Sequence, residues 1–282
     1  MIDEIVNYCD TQYQLKNGKC VGCKNTCNSN CFQCLKDIHF NPQCHRSYDC
    51  KYMCYHYICQ DIHRYATEMA WMWHFLFKEI KWDTNCAMNI CSIGCGPCTE
   101  LVAFEEYCNR NKIQIPFTYR GFDLEKNWTE LQKVARRYAF HPNNVFFEHI
   151  DVFDYYENND KPNVIVLNYL LSNILKNSPK YIDEFVDKLC ELFKSLPYGI
   201  LLINDINYYT VRDNYIEKIR KNCIKNNNNA FKYHFANTTK DFYPYGKQLS
   251  KNNLLFDVPD DIISRYNTST ECHSAQLIVT KK

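Results

Sequence analysis

Ser92-Ile93-Gly94-Cys95-Gly96-Pro97-Cys98-Thr99-Glu100 is the stretch that decides the fold. The residues before it, Met88 to Ile93, form a short apolar run. Those after it, about 99–110, suit a helix. Two of the chain's seven glycines therefore sit where a strand hands over to a helix. Glycine is useful at such a junction because the backbone must turn tightly and let a ligand approach closely. A lone G-x-G is common by chance, and register with later residues is what gives this one meaning.

Working outward, Asp123 ends the next apolar stretch, Tyr119-Arg120-Gly121-Phe122-Asp123, 27 residues after Gly96. An acid at that tip is placed to accept hydrogen bonds from both hydroxyls of a ribose. Asp151, in His149-Ile150-Asp151-Val152-Phe153, ends a third strand on the same rim, within reach of an adenine amino group. Beyond it the chain keeps alternating. Strands are predicted near 88–93, 117–123, 145–151, 163–168 and 200–205, with helices near 99–110, 125–139, 179–196 and 210–225. Two further strands near 231–236 and 275–281 make seven. Ile182, Phe185, Val186, Leu189, Leu192, Phe193 and Leu196 share one face of the 179–196 helix. Strand–helix alternation with buried apolar strands means an α/β, Rossmann-like sheet, mostly parallel, with helices on both faces.

This register resembles the class I S-adenosylmethionine-dependent methyltransferases over residues 86–282. The resemblance implies a seven-stranded methyltransferase sheet, S-adenosylmethionine as cofactor, and methyl transfer to an acceptor that is RNA, protein or a small molecule. It implies that Ser92, Gly94, Cys95 and Gly96 hold the methionine part of the cofactor. Asp123 and Leu124 would meet the ribose, and Asp151 and Val152 the adenine. Asn168 and Tyr169, after the fourth strand, fall where the family faces methyl donor and acceptor, and are the expected catalytic residues. The sequence departs from the family pattern at Ser92, where an acid is usual, and at Cys98, where a third glycine is usual. Those departures motivate a second reading, a binding protein that has lost catalysis; aminopropyl transfer from the same cofactor is a third. A dinucleotide fold would need glycine at Thr99. After the fourth strand, Asn168-Tyr169-Leu170-Leu171 matches neither the adenine-amino nor the 5-methylcytosine enzymes. Asp205, Asn207, Tyr208, Tyr209, Tyr243 and Tyr245 are further candidates to line a pocket.

The chain has 282 residues, 46% hydrophobic and 23% charged, so it carries enough apolar material for a core. Its 33 basic and 32 acidic residues leave a net charge of +1, which argues against a protein coated in positive charge for non-specific nucleic-acid binding. The opening MIDEIVNYCD carries acids where a signal peptide carries Lys or Arg, and no apolar run reaches the length of a membrane span. A soluble, cytoplasmic protein is the expectation, with oligomeric state unread.

Cysteine usage is abnormal. Ten of 18 cysteines fall within residues 1–59. Cys20-x2-Cys23 and Cys31-x2-Cys34 are paired thiols, with Cys27 between them and Cys44, His45, Cys50, Cys54 and Cys59 following. Two such pairs suit a tetrahedral structural zinc, and the remaining ligands suit a second. A zinc-binding module over 1–60, a linking helix over 61–85 and the methyltransferase-like part over 86–282 are therefore expected. Cys27-x3-Cys31-x2-Cys34 also resembles the radical S-adenosylmethionine enzymes, but no strand precedes it and other cysteines crowd it. The aromatic run Tyr52 to Tyr57 would stack on bases or pack against zinc.

Overall fold

The computed structural model describes residues 1–15, 30–41, 44, 48–224, 228–236, 245–252 and 254–281. In chain order the helices and strands are α1 (Ile2–Gln14), α2 (Cys31–Phe40), α3 (Lys51–Lys78), β1 (Met88–Ile93), α4 (Thr99–Arg110), β2 (Phe117–Phe122), α5 (Thr129–Tyr138), β3 (Val145–Glu148), α6 (Val152–Glu157), β4 (Val164–Asn168), α7 (Leu171–Asn177), α8 (Ile182–Ser195), β5 (Gly199–Ile206), α9 (Glu217–Cys223), β6 (Asn229–Ala236), β7 (Lys247–Ser250), α10 (Asp260–Tyr266) and β8 (Ser274–Lys281). A π-helical turn, Thr210–Ile216, leads into α9.

Among the described residues these strands form one eight-stranded sheet in the order β3-β2-β1-β4-β5-β8-β6-β7. The first five strands run parallel. β8 lies antiparallel between β5 and β6. The expected count was seven. The eighth strand, β7, pairs parallel to the outer edge of β6. Its sequence, Lys247-Gln248-Leu249-Ser250, holds a single apolar residue, so an edge position exposed to water leaves no alternation to read.

Side chains alternate between the two faces of the strands and divide the core in two. Ile90, Val164, Val166, Ile200, Leu202 and Ile278 join the cluster packed under α3, α4 and α5. Cys91, Ile93, Ile165, Leu167, Leu201, Ile203 and Leu277 join the cluster packed under α8 and α9. Because both faces are covered, the central strands are apolar throughout.

Helix α3 differs most from expectation. It was predicted from about residue 61, as a linker; it begins at Lys51 and continues unbroken to Lys78. Twenty of its 28 residues are buried. A helix buried nearly all round belongs to a core rather than bridging two bodies. Its Trp73 indole donates to the Glu100 carbonyl at 3.2 Å, tying it to α4. Among the described residues no helix is long and apolar enough to cross a membrane.

Strand order reverses between β1 and β4, which stay paired to their carboxyl ends while the chain leads from β1 toward β2 and from β4 toward β5, in opposite directions along the sheet. In open α/β sheets this switch point is where ligands bind.

Candidate active site

A cavity of about 700 Å³ opens at that switch point. Gly94, Gly96, Asp123, Leu124, Asp151, Val152, Asn168 and Tyr169 all line it. The loop after β1 is built on left-handed backbone at Gly94 (φ +63°), Gly96 (φ +48°) and Cys98 (φ +65°). A Cβ on Gly94 would stand 2.5 Å from Leu170 Cδ1, so the strand–loop packing requires glycine there. Cys98 keeps the conformation usual for a third glycine while carrying a side chain, at the cost of backbone strain.

Asp123 is fixed by two backbone donors: Gly96 N–H to Oδ2 at 2.7 Å and Glu125 N–H to Oδ1 at 2.8 Å. One acid thus holds the loop after β1 against the loop after β2. Each carboxylate oxygen retains lone-pair capacity toward the cavity. Burial pushes its pKa up, opposed by those two N–H donors. The His149 ring lies 3.0 Å from the Asp123 carbonyl and 3.0 Å from Thr129 Oγ1, bracing the same turn. Asp151 caps α6, accepting from Phe153 N–H at 2.8 Å. Between the two acids the wall is apolar: Leu124 is 71% exposed and Ile150 45%, both on the cavity.

At the end of β4, Asn168 donates to Thr99 Oγ1 at 2.7 Å and accepts from Asn204 Nδ2 at 2.8 Å. Tyr169 takes a left-handed backbone (φ +54°), with its N–H donating to the Asn204 carbonyl at 2.7 Å. Its phenol donates to Glu68 Oε2 at 2.9 Å. Glu68, fully buried on α3, also accepts from Asn204 Nδ2 at 3.0 Å and from His273 N–H at 2.8 Å. Burial raises the Glu68 pKa, and Arg64 with these donors works against that shift.

Two expected cofactor contacts are not on the cavity. Ser92 is buried behind the loop and donates to Glu100 Oε1 at 2.6 Å, beside the Tyr119 hydroxyl at 2.5 Å on the same oxygen. Glu100 is itself buried and off the cavity, so this contact ties β1 to α4 behind the loop. Cys95 is also buried, with its Sγ accepting from Gln132 Nε2 at 3.6 Å. Of the other pocket candidates, Asp205 is wholly buried, accepting from Ser172 N–H and Ile206 N–H, and Tyr243 lies outside the described residues.

The zinc expectation fares differently. Cys20, Cys23, Cys27 and His45 lie outside the described residues. Among the described residues no three His, Cys, Asp or Glu side chains gather to hold a metal, so Cys31, Cys34, Cys44, Cys50, Cys54 and Cys59 form no ligand group between themselves. Cys54 and Cys59 are core thiols: Cys54 Sγ donates to the Tyr48 carbonyl and Cys59 Sγ to the Val6 carbonyl. Burial pushes the Cys54 thiol well up, as expected of a packed thiol.

Sequence reasoning missed the wall contributed by α2, α3 and the segment between them: His39, Tyr48, Tyr57, Arg64 and Tyr65 line the same cavity. A signal was present. Asp61, Arg64 and Glu68 recur at helical spacing beside Ile62, Tyr65, Ala66 and Met69, and such charges inside a buried helix mark a site rather than a solvated face.

No protein-family model matches the chain, and no curated protein matches its sequence. Solved structures do match. One is a candidate class I S-adenosylmethionine-dependent methyltransferase from Listeria monocytogenes, with TM-score 0.50 and 10% identity, covering 99% of this chain and 87% of its own. The chain has the class I methyltransferase fold. The plantazolicin methyltransferase BpumL, in complex with a monoazolic desmethylPZN analogue and SAH, matches with TM-score 0.45 and 11% identity over 100% of this chain and 99% of its own. A candidate methyltransferase from Streptococcus mutans in complex with SAH matches with TM-score 0.43 and 10% identity over 71% of this chain and 91% of its own.

Proposed function

We propose that this chain transfers the methyl group of S-adenosylmethionine to an acceptor bearing an O–H or N–H. The observation that carries the reading is the Asp123 carboxylate, anchored by Gly96 and Glu125 N–H groups and lining the cavity at the fold's switch point. The residues present fit the cofactor. Asp123 offers acceptor oxygens for two ribose hydroxyls, Leu124, Ile150 and Val152 offer apolar surface to a purine, and Asp151 would accept from its amino group. Of the two departures that favoured an inactive protein, Cys98 keeps the left-handed backbone of a glycine, while Ser92 turns away from the cavity to a buried Glu100 and leaves that cofactor contact without a carboxylate at position 92.

When bound, the cofactor supplies a methyl carbon already activated by its sulfonium. The chain's work is then to align the acceptor and exclude water. An acceptor's lone pair would form the new bond to that carbon while the sulfur kept the electron pair of the broken carbon–sulfur bond. The acceptor's proton would then pass to the Tyr169 phenol as its own proton moved to the Glu68 carboxylate it touches at 2.9 Å. Asn168 holds the end of β4 through Thr99 and Asn204.

Calorimetry with S-adenosylhomocysteine tests the reading. Wild-type chain is expected to bind, and Asp123→Ala to bind ten- to a hundredfold more weakly. No binding by the wild type ends the proposal. Zinc rests on the paired C-x2-C spacing alone, and metal analysis of folded protein decides it; a zinc-free folded chain removes it.

A further inference from the structure

Six ring side chains follow one another along the cavity wall, and the mechanism uses only the first. Tyr169 lies 4.2 Å from Tyr65 between ring centroids, Tyr65 5.8 Å from Tyr57, and Tyr57 5.7 Å from Trp128. Trp128 lies 4.8 Å from Tyr48, and Tyr48 6.2 Å from His39. All six line the cavity. Four of them come from residues 39–65, outside the sheet that carries the loop and the two acids. Resting on the methyl-transfer reading, we infer that this row is the acceptor subsite, and that the acceptor is a small planar aromatic molecule rather than RNA or a protein.

Charge argues against a phosphate backbone. A protein that grips nucleic acid needs cations free to meet phosphates. Arg64 is paired with Asp61 at 2.8 Å, and Lys176 donates to the carbonyls of Asp37 and Ile38. These are the Lys and Arg residues that line the cavity among the described residues. Five of the six rings, the four tyrosines and Trp128, carry no charge at pH 7 on their ordinary chemistry, and burial, with Arg64 and Lys176 nearby, pushes the His39 pKa down to about 4. A cavity of about 700 Å³ lies in the range of small-molecule sites. Neutral rings recognise another ring by offset or edge contacts, which favour a flat partner over a saturated one of equal size.

The test uses the full chain saturated with S-adenosylhomocysteine, titrated with phenol, indole and, as a saturated counterpart of phenol, cyclohexanol. Phenol and indole are expected to bind at least tenfold more tightly than cyclohexanol. Tyr57→Leu and Tyr65→Leu are expected to weaken both rings at least fivefold while leaving S-adenosylhomocysteine affinity within twofold. Equal binding of phenol and cyclohexanol by the wild-type chain, a comparison that needs no variant, overturns the inference. So does displacement of phenol by single-stranded oligouridylate. Failure to bind S-adenosylhomocysteine is seen in the first titration and sinks the methyl-transfer reading instead, so the two failures are told apart.

Discussion

The Tyr169 phenol at the tip of β4 donates to the Glu68 carboxylate on α3, 2.9 Å away across a separation of 101 residues. That contact joins α3 to the edge of the site, through a network that includes Asn204 of β5 and Gln276 of β8. Glu68→Ala leaves the Asn204 and His273 donors unmatched in the interior and Tyr169 with only the His273 carbonyl, 3.3 Å away. With roughly 1 kcal/mol or more per buried orphan, a loss of about 2–3 kcal/mol is expected. Tyr169→Phe removes one donor, and its carboxylate partner keeps two others, so about 1 kcal/mol is expected. Urea titration of both variants checks this. Equal stability of Glu68→Ala and wild type would mean the network carries no weight.

The loop after β1 separates two costs of adding a Cβ. At Gly94 the methyl meets Leu170 at 2.5 Å and the backbone is left-handed; at Gly96 the nearest atoms are Trp128 ring atoms at 3.8 Å and 3.9 Å. Gly96→Ala therefore carries conformational strain alone, about 1 kcal/mol. Gly94→Ala adds a steric overlap and is expected to lose about 2–4 kcal/mol. Cys98→Gly relieves strain at φ +65° and is expected to fold and bind S-adenosylhomocysteine as the wild type does, whereas Cys98→Val is expected to do neither well. Thermal melting with and without S-adenosylhomocysteine ranks the four. A Gly96→Ala chain less stable than Gly94→Ala would contradict the packing argument.

Asp205 gives the stability a pH dependence. Burial lifts its pKa from 3.8 to about 6, against the pull of N–H donors from Ser172 and Ile206. Between those values the folded chain holds a proton that the unfolded chain has released, so stability falls as pH rises through that window. A shift of about two units corresponds to roughly 3 kcal/mol when integrated. His39 and His63, lowered to about 4 by burial, pull the total the opposite way over the same range. The difference between chains is therefore what reads Asp205: Asp205→Asn should lose less, or gain more, stability than wild type as pH rises from about 4 to 7. An Asp205→Asn profile parallel to wild type would place the titration elsewhere.

How far this was legible follows from what each residue does. β1, β4 and β5 are buried on both faces, so their apolar runs stand out in the sequence, and Asp123 and Asp151 could be found by counting from the loop. β7 could not, because an edge strand needs no apolar alternation. Ser92 and Cys95 were assigned to the cofactor because loop neighbours are indistinguishable by spacing; only the pleat decides that Ser92 turns toward Glu100. Glu68 and the tyrosine row depend on α3 crossing the site, a tertiary fact that the density of cysteines before residue 60 obscured. Spacing within one segment was readable, and docking between distant segments was not.

Gly121 supplies a prediction about packing behind the site. A Cβ there would meet Cys95 Sγ at 2.8 Å, with Phe147 and Tyr119 ring atoms at 3.1 Å. Gly121 pairs with Ser92 in the sheet, so the clash would press on the loop that Asp123 holds. Gly121→Ala alone is expected to cost about 2–3 kcal/mol, as overpacked cores do. Cys95→Ala removes a buried sulfur and costs about 1 kcal/mol by itself. If the sulfur is the principal obstacle, the double variant is less destabilised than the sum of the two, by at least about 1 kcal/mol of coupling. Additive losses in urea titrations of the four chains would shift the blame to Tyr119 and Phe147, whose rings are then the atoms that cannot move.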